Sequence, residues 1–452
     1  VKLSIITPTH RPKHLKELWD CIRAQSHDDW EWVIFVNHKS GSRERIRDVG
    51  KAAREVVGTD RRVRIEYGFD EYKGNVGAIK KAAFSYGDGD VLVEVDHDDL
   101  ITPDCLSEIS QAFQDSEVGF VYSDWADFQD DAVVPQGFPT YRRTDQRPRW
   151  EANRFRFYQH HFAVGDQQGH YECVSAFEPS ALSLSLIYWA PNHVRAWRRS
   201  VYEFIGGHDS RYVLCDDHEL LIRTYLATKF HHITKPLYLY RVHTDNTFDN
   251  EKNAALIEKM TYELREAWIE KLVLRECELS GRSALTVVRP GSMETTTLMT
   301  PIYLRESIKG WKPVEFAEIY GKDRPGSLRV GALMLNDTLQ HFSARKQDSI
   351  ETMWSLLEPG GHLMAFVPST DGKGAFMDPR HQTYWNNASF WYWTRGHLHE
   401  QLYGESSRYR FQESELKLYY PSEWHNKSGI SYVRAHLVAL KGDYEGPGEV
   451  LF

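Results

Sequence analysis

Four short apolar runs separated by amphipathic stretches fill the first hundred residues, and this alternation restricts the fold more than any other feature. Residues 3–7 form a strand stopped by Pro8. Residues 14–25 place Leu15, Leu18, Trp19 and Ile22 on one helical face. Residues 32–36 are apolar without a break, as expected of a strand covered on both faces. A charged helix over 42–57, a strand at 63–67, a helix at 76–85 and a strand at 91–95 follow. The pattern predicts an α/β fold, a mainly parallel sheet with helices on both faces. Such sheets hold ligands at the carboxyl ends of their strands. Pro8-Thr9, Asn37 and the run Asp96-His97-Asp98-Asp99 all fall there.

The chain has 452 residues, enough for two or three domains with cores of their own. Its formal charge of -9 argues against a whole-surface attraction to nucleic acid or anionic lipid. Aromatics reach 13%, which suits sugar or base stacking, though on composition alone a packed core is the favoured reading. Cys21, Cys105, Cys173, Cys215 and Cys277 lie far apart and form no CxxC, so free thiols in a reducing cytoplasm are expected. The first residues run straight into an apolar strand, without the pattern of a signal peptide. No stretch reaches the length of a membrane span.

Asp96, Asp98 and Asp99 close a buried strand. Carboxylates this close repel one another unless a cation neutralises them. Hard divalent ions take such oxygen ligands and share them with phosphates, so a metal-bound diphosphate suits the pocket. By themselves these residues are also compatible with a solvated loop that caps the next helix.

Several further segments follow in a fixed order. Ser4-Ile5-Ile6-Thr7-Pro8-Thr9, Gly74-Asn75-Val76-Gly77 and Glu94-Val95-Asp96-His97-Asp98-Asp99 come first. Gly206-Gly207-His208-Asp209, Asp216-Asp217-His218-Glu219 and Tyr240-Arg241-Val242-His243 come after. Over about residues 1–250 the chain resembles the family 2 inverting nucleotide-sugar glycosyltransferases, with the GT-A fold. The resemblance implies a nucleotide-sugar site on Pro8, Thr9, Arg11, Asn37, Asn75, Lys80, Asp96 and Asp216. Asn37 stands where relatives carry an aspartate that reads the base, and Lys81 competes with Lys80 for the diphosphate. Asp98, His243 and Asp96 would hold Mn2+ or Mg2+. Asp217 matches the catalytic base. A UDP-type donor is favoured. For each of these residues a structural role is the alternative: a surface lysine, a helix-capping Asp216-Asp217 pair, a packed histidine.

Residues 129–185 fall where acceptor-binding elements of that family vary. Arginines interleave with aromatics over 141–158, a pattern compatible with a glycan, protein or nucleic-acid acceptor or with an ordinary loop. His160-His161 and His231-His232 lack metal-site spacing and read as structural. Residues 253–279 read as a connecting helix with Leu256, Met260, Leu264, Trp268, Leu272 and Val273 in one stripe. A domain boundary is expected near Ser280-Gly281. Beyond it, a strand at 330–335, a helix at 349–357, the turn Pro359-Gly360-Gly361 and a strand at 362–367 indicate a second, smaller α/β unit over 281–452.

Leu356-Leu357-Glu358-Pro359-Gly360-Gly361-His362-Leu363, Asn336-Asp337-Thr338-Leu339-Gln340-His341 and Asp378-Pro379-Arg380-His381 resemble class I S-adenosylmethionine-dependent methyltransferases. Arg289-Pro290-Gly291-Ser292 and Arg324-Pro325-Gly326-Ser327 do not supply that family's glycine-rich turn after an apolar strand. Bound S-adenosylmethionine is therefore not expected, and packing, acceptor binding or homo-oligomer formation remain open to this unit. The leading expectation is a metal-dependent inverting glycosyltransferase. A bifunctional glycosyltransferase/methyltransferase and a non-catalytic nucleotide-sugar or glycan-binding module are the competing readings.

Overall fold

The computed structural model describes residues 1–38, 42–69, 72, 74–128, 157–164, 167–241, 251–288, 310–315, 319, 329–342, 345–404 and 407–442. Side chains of 157–164, 167–172, 251, 252 and 254 are outside that description. The chain divides into two compact units, one of residues 1–148 and 152–272, the other of 149–151 and 273–452.

The first unit opens with β1 (Leu3–Thr9), α1 (Leu15–Arg23), β2 (Trp30–Val36), α2 (Arg43–Val57), β3 (Val63–Tyr67), α3 (Val76–Phe84) and β4 (Val91–Glu94). It continues with β5 (Leu100–Ile101), α4 (Cys105–Ala112), β6 (Val118–Phe128), β7 (Phe157–Val164), β8 (Gln167–Val174), α5 (Ala181–Leu186), β9 (Arg195–Arg198), α6 (Arg199–Phe204), α7 (Asp216–Ala227) and β10 (Lys229–Arg241). The sheet runs β3-β2-β1-β4-β9-β6-β10-β5. Strands β1 to β4 pair in parallel, as the alternation predicts, and β9 enters antiparallel between β4 and β6. Every residue of β2 is buried, which accounts for its unbroken apolar run. β1 runs on through Pro8 rather than stopping there. Its pairing with β4 ends at Ile6, so Pro8 lies where one side of the strand needs no ladder donor.

Helix α8 (Glu251–Leu279) spans the boundary between units. Its buried face carries Ile257, Leu264, Ile269, Leu272 and Val273, while Leu256 is exposed. The expected stripe is thus displaced by one position at Leu256, and Arg265 also turns inward, its Nη1 donating to Ser185 Oγ at 2.7 Å.

The second unit holds β11 (Ala284–Val288), β12 (Lys312–Glu315), β13 (Val330–Asn336), α9 (Lys346–Leu356), β14 (Leu357–Pro368), α10 (Asn387–Thr394), α11 (Gly396–Tyr403), β15 (Arg410–Tyr419), α12 (Glu423–Lys427) and β16 (Tyr432–Leu440). Its sheet order is β12-β11-β13-β14-β16-β15. The first four strands are parallel, and β16 runs antiparallel between β14 and β15. Leu333, Phe342, Ile350, Met353, Leu363, Trp385, Phe390 and Val433 fill its core. β11 is a correction to the sequence reading, which placed no strand before Val330. Arg289-Pro290-Gly291-Ser292 therefore does follow an apolar strand, though with one glycine only. Those four residues and 324–327 lie outside the described residues. Pro359-Gly360-Gly361 lies within β14, with Gly360 at φ +76° beside a shift in register against β13.

All five cysteines are buried and free. Among the described residues, no helix is long and apolar enough to cross a membrane.

Candidate active site

Three strand ends supply the site. At the end of β1, Thr9 Oγ1 donates to Arg11 O at 2.8 Å and shapes the following turn. At the end of β2, Asn37 N donates to Thr9 O at 2.8 Å, which brings Asn37 beside Pro8-Thr9. Asn75 caps α3, its side-chain oxygen accepting from Ala78 N at 2.9 Å. Its amide nitrogen donates to Ser210 O at 2.7 Å, so the same residue ties α3 to the loop before α7.

The third end is that of β4. Asp99 is fully buried and serves the fold: it accepts from Tyr238 Oη at 2.7 Å and from Arg241 N at 2.7 Å. Arg241 Nη2 reaches Glu17 at 2.7 Å, and its guanidinium lies 4.5 Å from the Phe128 ring centre. Asp96 and Asp98 remain partly open. Burial raises the Asp96 carboxyl above its ordinary value, opposed by His193 and Lys80 and reinforced by Glu94 and Asp98. Burial also pushes Asp99 well up, with Asp98 and Asp96 adding to it. The turn thus gathers three carboxyl groups, two of which burial pushes toward the protonated form. Among the described residues these carboxylates do not form a set of three ligand atoms within 4.8 Å of one another. His243, the expected third ligand, lies outside the described residues, as does most of the arginine-rich 141–158 segment.

Behind the turn lies a buried charge network. Register opposes Glu94 on β4 to Arg195 on β9. Lys80 from α3 comes within 2.5 Å of Glu94 Oε1 and 3.9 Å of Asp216 Oδ2. Lys80 therefore faces this network while Lys81 is exposed, which separates the two lysines. Arg195 Nη1 donates to Asp217 Oδ2 at 2.8 Å, and His218 N donates to Asp217 Oδ1 at 2.8 Å.

Asp216 and Asp217 start α7, where the helix dipole favours carboxylates. Their environments differ. Asp216 is buried, and its Oδ2 lies 3.7 Å from His208 Nε2. Burial raises its carboxyl to about 7, against the pull of Lys80. The Asp217 side chain keeps 26% exposure. Burial would raise it too, but the Arg195 charge prevails and holds it at about 2. His208 is lowered to about 3 by burial and takes up a bond with Tyr202 Oη at 2.7 Å, so it stays neutral.

Sequence reasoning did not name Glu94, Arg195, His193 or His208 as site residues. Glu94 carried a signal, one acid inside the apolar run Val91-Leu92-Val93-Glu94-Val95. Arg195 carried none, since strand register and the packing of α7 together bring it to Glu94 and Asp217. His231-His232 is structural at least at His232, which bridges Asp124 at 2.7 Å and Glu178 at 3.2 Å.

Residues 4–173 match the family described as Glycosyl transferase family 2, so the first unit carries a glycosyltransferase domain in an α/β chain with a second α/β unit. The chain is 28% identical over 140 residues to the uncharacterized protein y4gI of Sinorhizobium fredii, covering 30% of this chain and 14% of that protein. It is 22% identical over 353 residues to the O-antigen biosynthesis protein RfbC of Myxococcus xanthus, covering 75% of this chain and 22% of that protein. The chain thus spans less than a quarter of the length of these curated relatives. Among solved structures, S. aureus TarS 1-349 in complex with UDP is similar at a TM-score of 0.37 and 14% identity, covering 62% of this chain and 72% of that one. The mannosyltransferase PcManGT of Pyrobaculum calidifontis, in complex with GDP-Man and Mn2+, is similar at 0.34 and 14%, covering 63% and 76%.

Proposed function

We propose that this chain transfers a sugar from a nucleoside diphosphate to an acceptor hydroxyl with inversion, aided by a divalent metal. One observation carries the reading: Asp217 is an ionised, partly open carboxylate, fixed by Arg195 at the start of α7, within a network that reaches the acidic end of β4 through Glu94. Asp217 is the base in this account. A carboxyl held at about 2 is a weak base at rest. The acceptor proton becomes acidic as its oxygen bonds to the anomeric carbon, so transfer to Asp217 comes late. Arg195 keeps the carboxylate ionised and oriented until then. Asp216 is buried and acts behind Asp217, with Lys80 and Glu94, to hold the α3–α7 junction.

Asp96 and Asp98 offer hard oxygen donors, partly open at the end of β4, and this fits Mn2+ or Mg2+. Asp98 and Asp96, with His243, would hold that ion, which when bound supplies charge to the departing diphosphate. Pro8, Thr9, Arg11 and Asn37 would line the nucleoside side, and Asn75 and Lys80 the diphosphate side, with a UDP-type donor favoured. A relative named for O-antigen biosynthesis supports a glycan acceptor. Five buried free thiols support a reducing compartment. The second unit is read as a methyltransferase-like scaffold without bound S-adenosylmethionine.

A thermal-shift panel of nucleoside diphosphates with Mn2+ tests the donor and metal assignments. UDP with Mn2+ is expected to stabilise the wild type, and Asp98→Ala is expected to lose that shift while melting normally without ligand. An unchanged Mn2+-dependent shift in Asp98→Ala would remove the metal assignment.

A further inference from the structure

In the second unit, β13 ends at Asn336 and the chain turns through a single helical turn, Leu339–His341. A separate segment, 369–386, returns to the same place. Gln382 N and Thr383 N both donate to Gln340 O, at 2.8 and 3.0 Å. Thr383 Oγ1 in turn accepts from Trp385 Nε1 at 2.7 Å, in the core. These bonds pin the two segments together beyond the carboxyl ends of β13 and β14, where open α/β sheets place ligands.

The pinning gathers three donors. One ring nitrogen of His341, one of His381 and a carboxylate oxygen of Asp378 lie within 4.8 Å of one another, each residue half-buried. The two imidazoles meet edge to face, 5.0 Å between centres. His381 Nδ1 lies 2.7 Å from Ala375 O, and His341 Nδ1 lies 3.4 Å from Arg380 O. A carbonyl only accepts, so Nδ1 is the donor in both contacts, and Nε2 is then the ring nitrogen that can ligate a metal. This is the outer-shell pattern that orients metal-ligating histidines. Asp378 is held by Arg380, Nε to Oδ1 at 2.9 Å and Nη2 to Oδ2 at 2.7 Å. Its carboxylate retains further lone pairs.

We propose that His341, Asp378 and His381 bind a divalent transition metal of the zinc class through two imidazole nitrogens and one carboxylate oxygen. Two nitrogen donors select such a metal over Mg2+ or Ca2+. Three protein ligands leave a coordination position open to water or a ligand. The site is separate from the oxygen-rich turn of the first unit and does not depend on the glycosyl-transfer reading.

The test uses the full chain without a histidine tag, stripped by chelator and titrated with Zn2+ by calorimetry. The wild type is expected to bind one equivalent that His381→Gln and Asp378→Asn each weaken by about tenfold or more, the scale of disturbing a metal's ligand shell. Asp98→Ala is expected to keep that equivalent. Unchanged stoichiometry and affinity in a folded His341→Gln/His381→Gln chain would overturn the proposal. Should those variants fail to fold, X-ray absorption of the wild type loaded with one equivalent of Zn2+ decides. Imidazole scattering from two ligands supports the site, and an oxygen-only shell overturns it.

Discussion

Asp216 and Asp217 are neighbours with opposite behaviour, and the difference arises from what each faces. Arg195 offsets the burial of Asp217, whereas Lys80 at 3.9 Å does not offset that of Asp216. A carboxyl raised to about 7 folds best protonated. Its contribution is full below the ordinary aspartate range near 4 and is lost as pH rises through about 7. Asp216→Asn keeps the shape without the charge. It is expected to melt above the wild type at pH 8 by roughly 2–4 °C, the scale of one kcal/mol in a domain of this size. The gap should narrow as pH falls below 7 and close below about 4, and a gap independent of pH would contradict the assignment. The pair was visible in the sequence, but which member is open was not. That depends on Arg195 and Lys80, brought in from β9 and α3 by register and packing.

Helix α3 shows how closely the site depends on fit between elements. A Cβ on Gly77 would lie 2.5 Å from Asp209 O and 2.7 Å from Tyr212 O, both backbone atoms of the loop before α7. Gly77→Ala is therefore expected to cost about 1–3 kcal/mol and to lower the melting temperature of the first unit by several degrees. It should also weaken nucleotide binding, because α3 carries Lys80 and Asn75. A variant as stable as the wild type would show that the two elements do not pack as described. The strands and helices before residue 95 were legible because apolar runs and amphipathic stretches alternate there, although β1 runs past the Pro8 that reads as its stop. β9 was not, being four residues long, and neither was β11, whose Ala284-Leu285-Thr286-Val287-Val288 is too short to separate strand from helix by periodicity. Pairing with β13 decides β11.

Each unit has its own sheet and buries its own apolar residues, so the chain is expected to unfold in two calorimetric steps. UDP with Mn2+ should raise one step only, and S-adenosylmethionine should raise neither. A single step that shifts as a whole with UDP would show the units to be one cooperative body. The account rests most heavily on Asp217 as the base. Its direct test is turnover of the donor identified by the thermal-shift panel, followed as nucleoside diphosphate released with Mn2+, in the wild type and in Asp217→Asn. The amide keeps the size and hydrogen-bonding oxygen of the side chain but cannot take the proton. The account predicts unchanged donor binding with turnover lowered by roughly 10²-fold or more. Near-normal turnover in a variant that binds donor normally would contradict it.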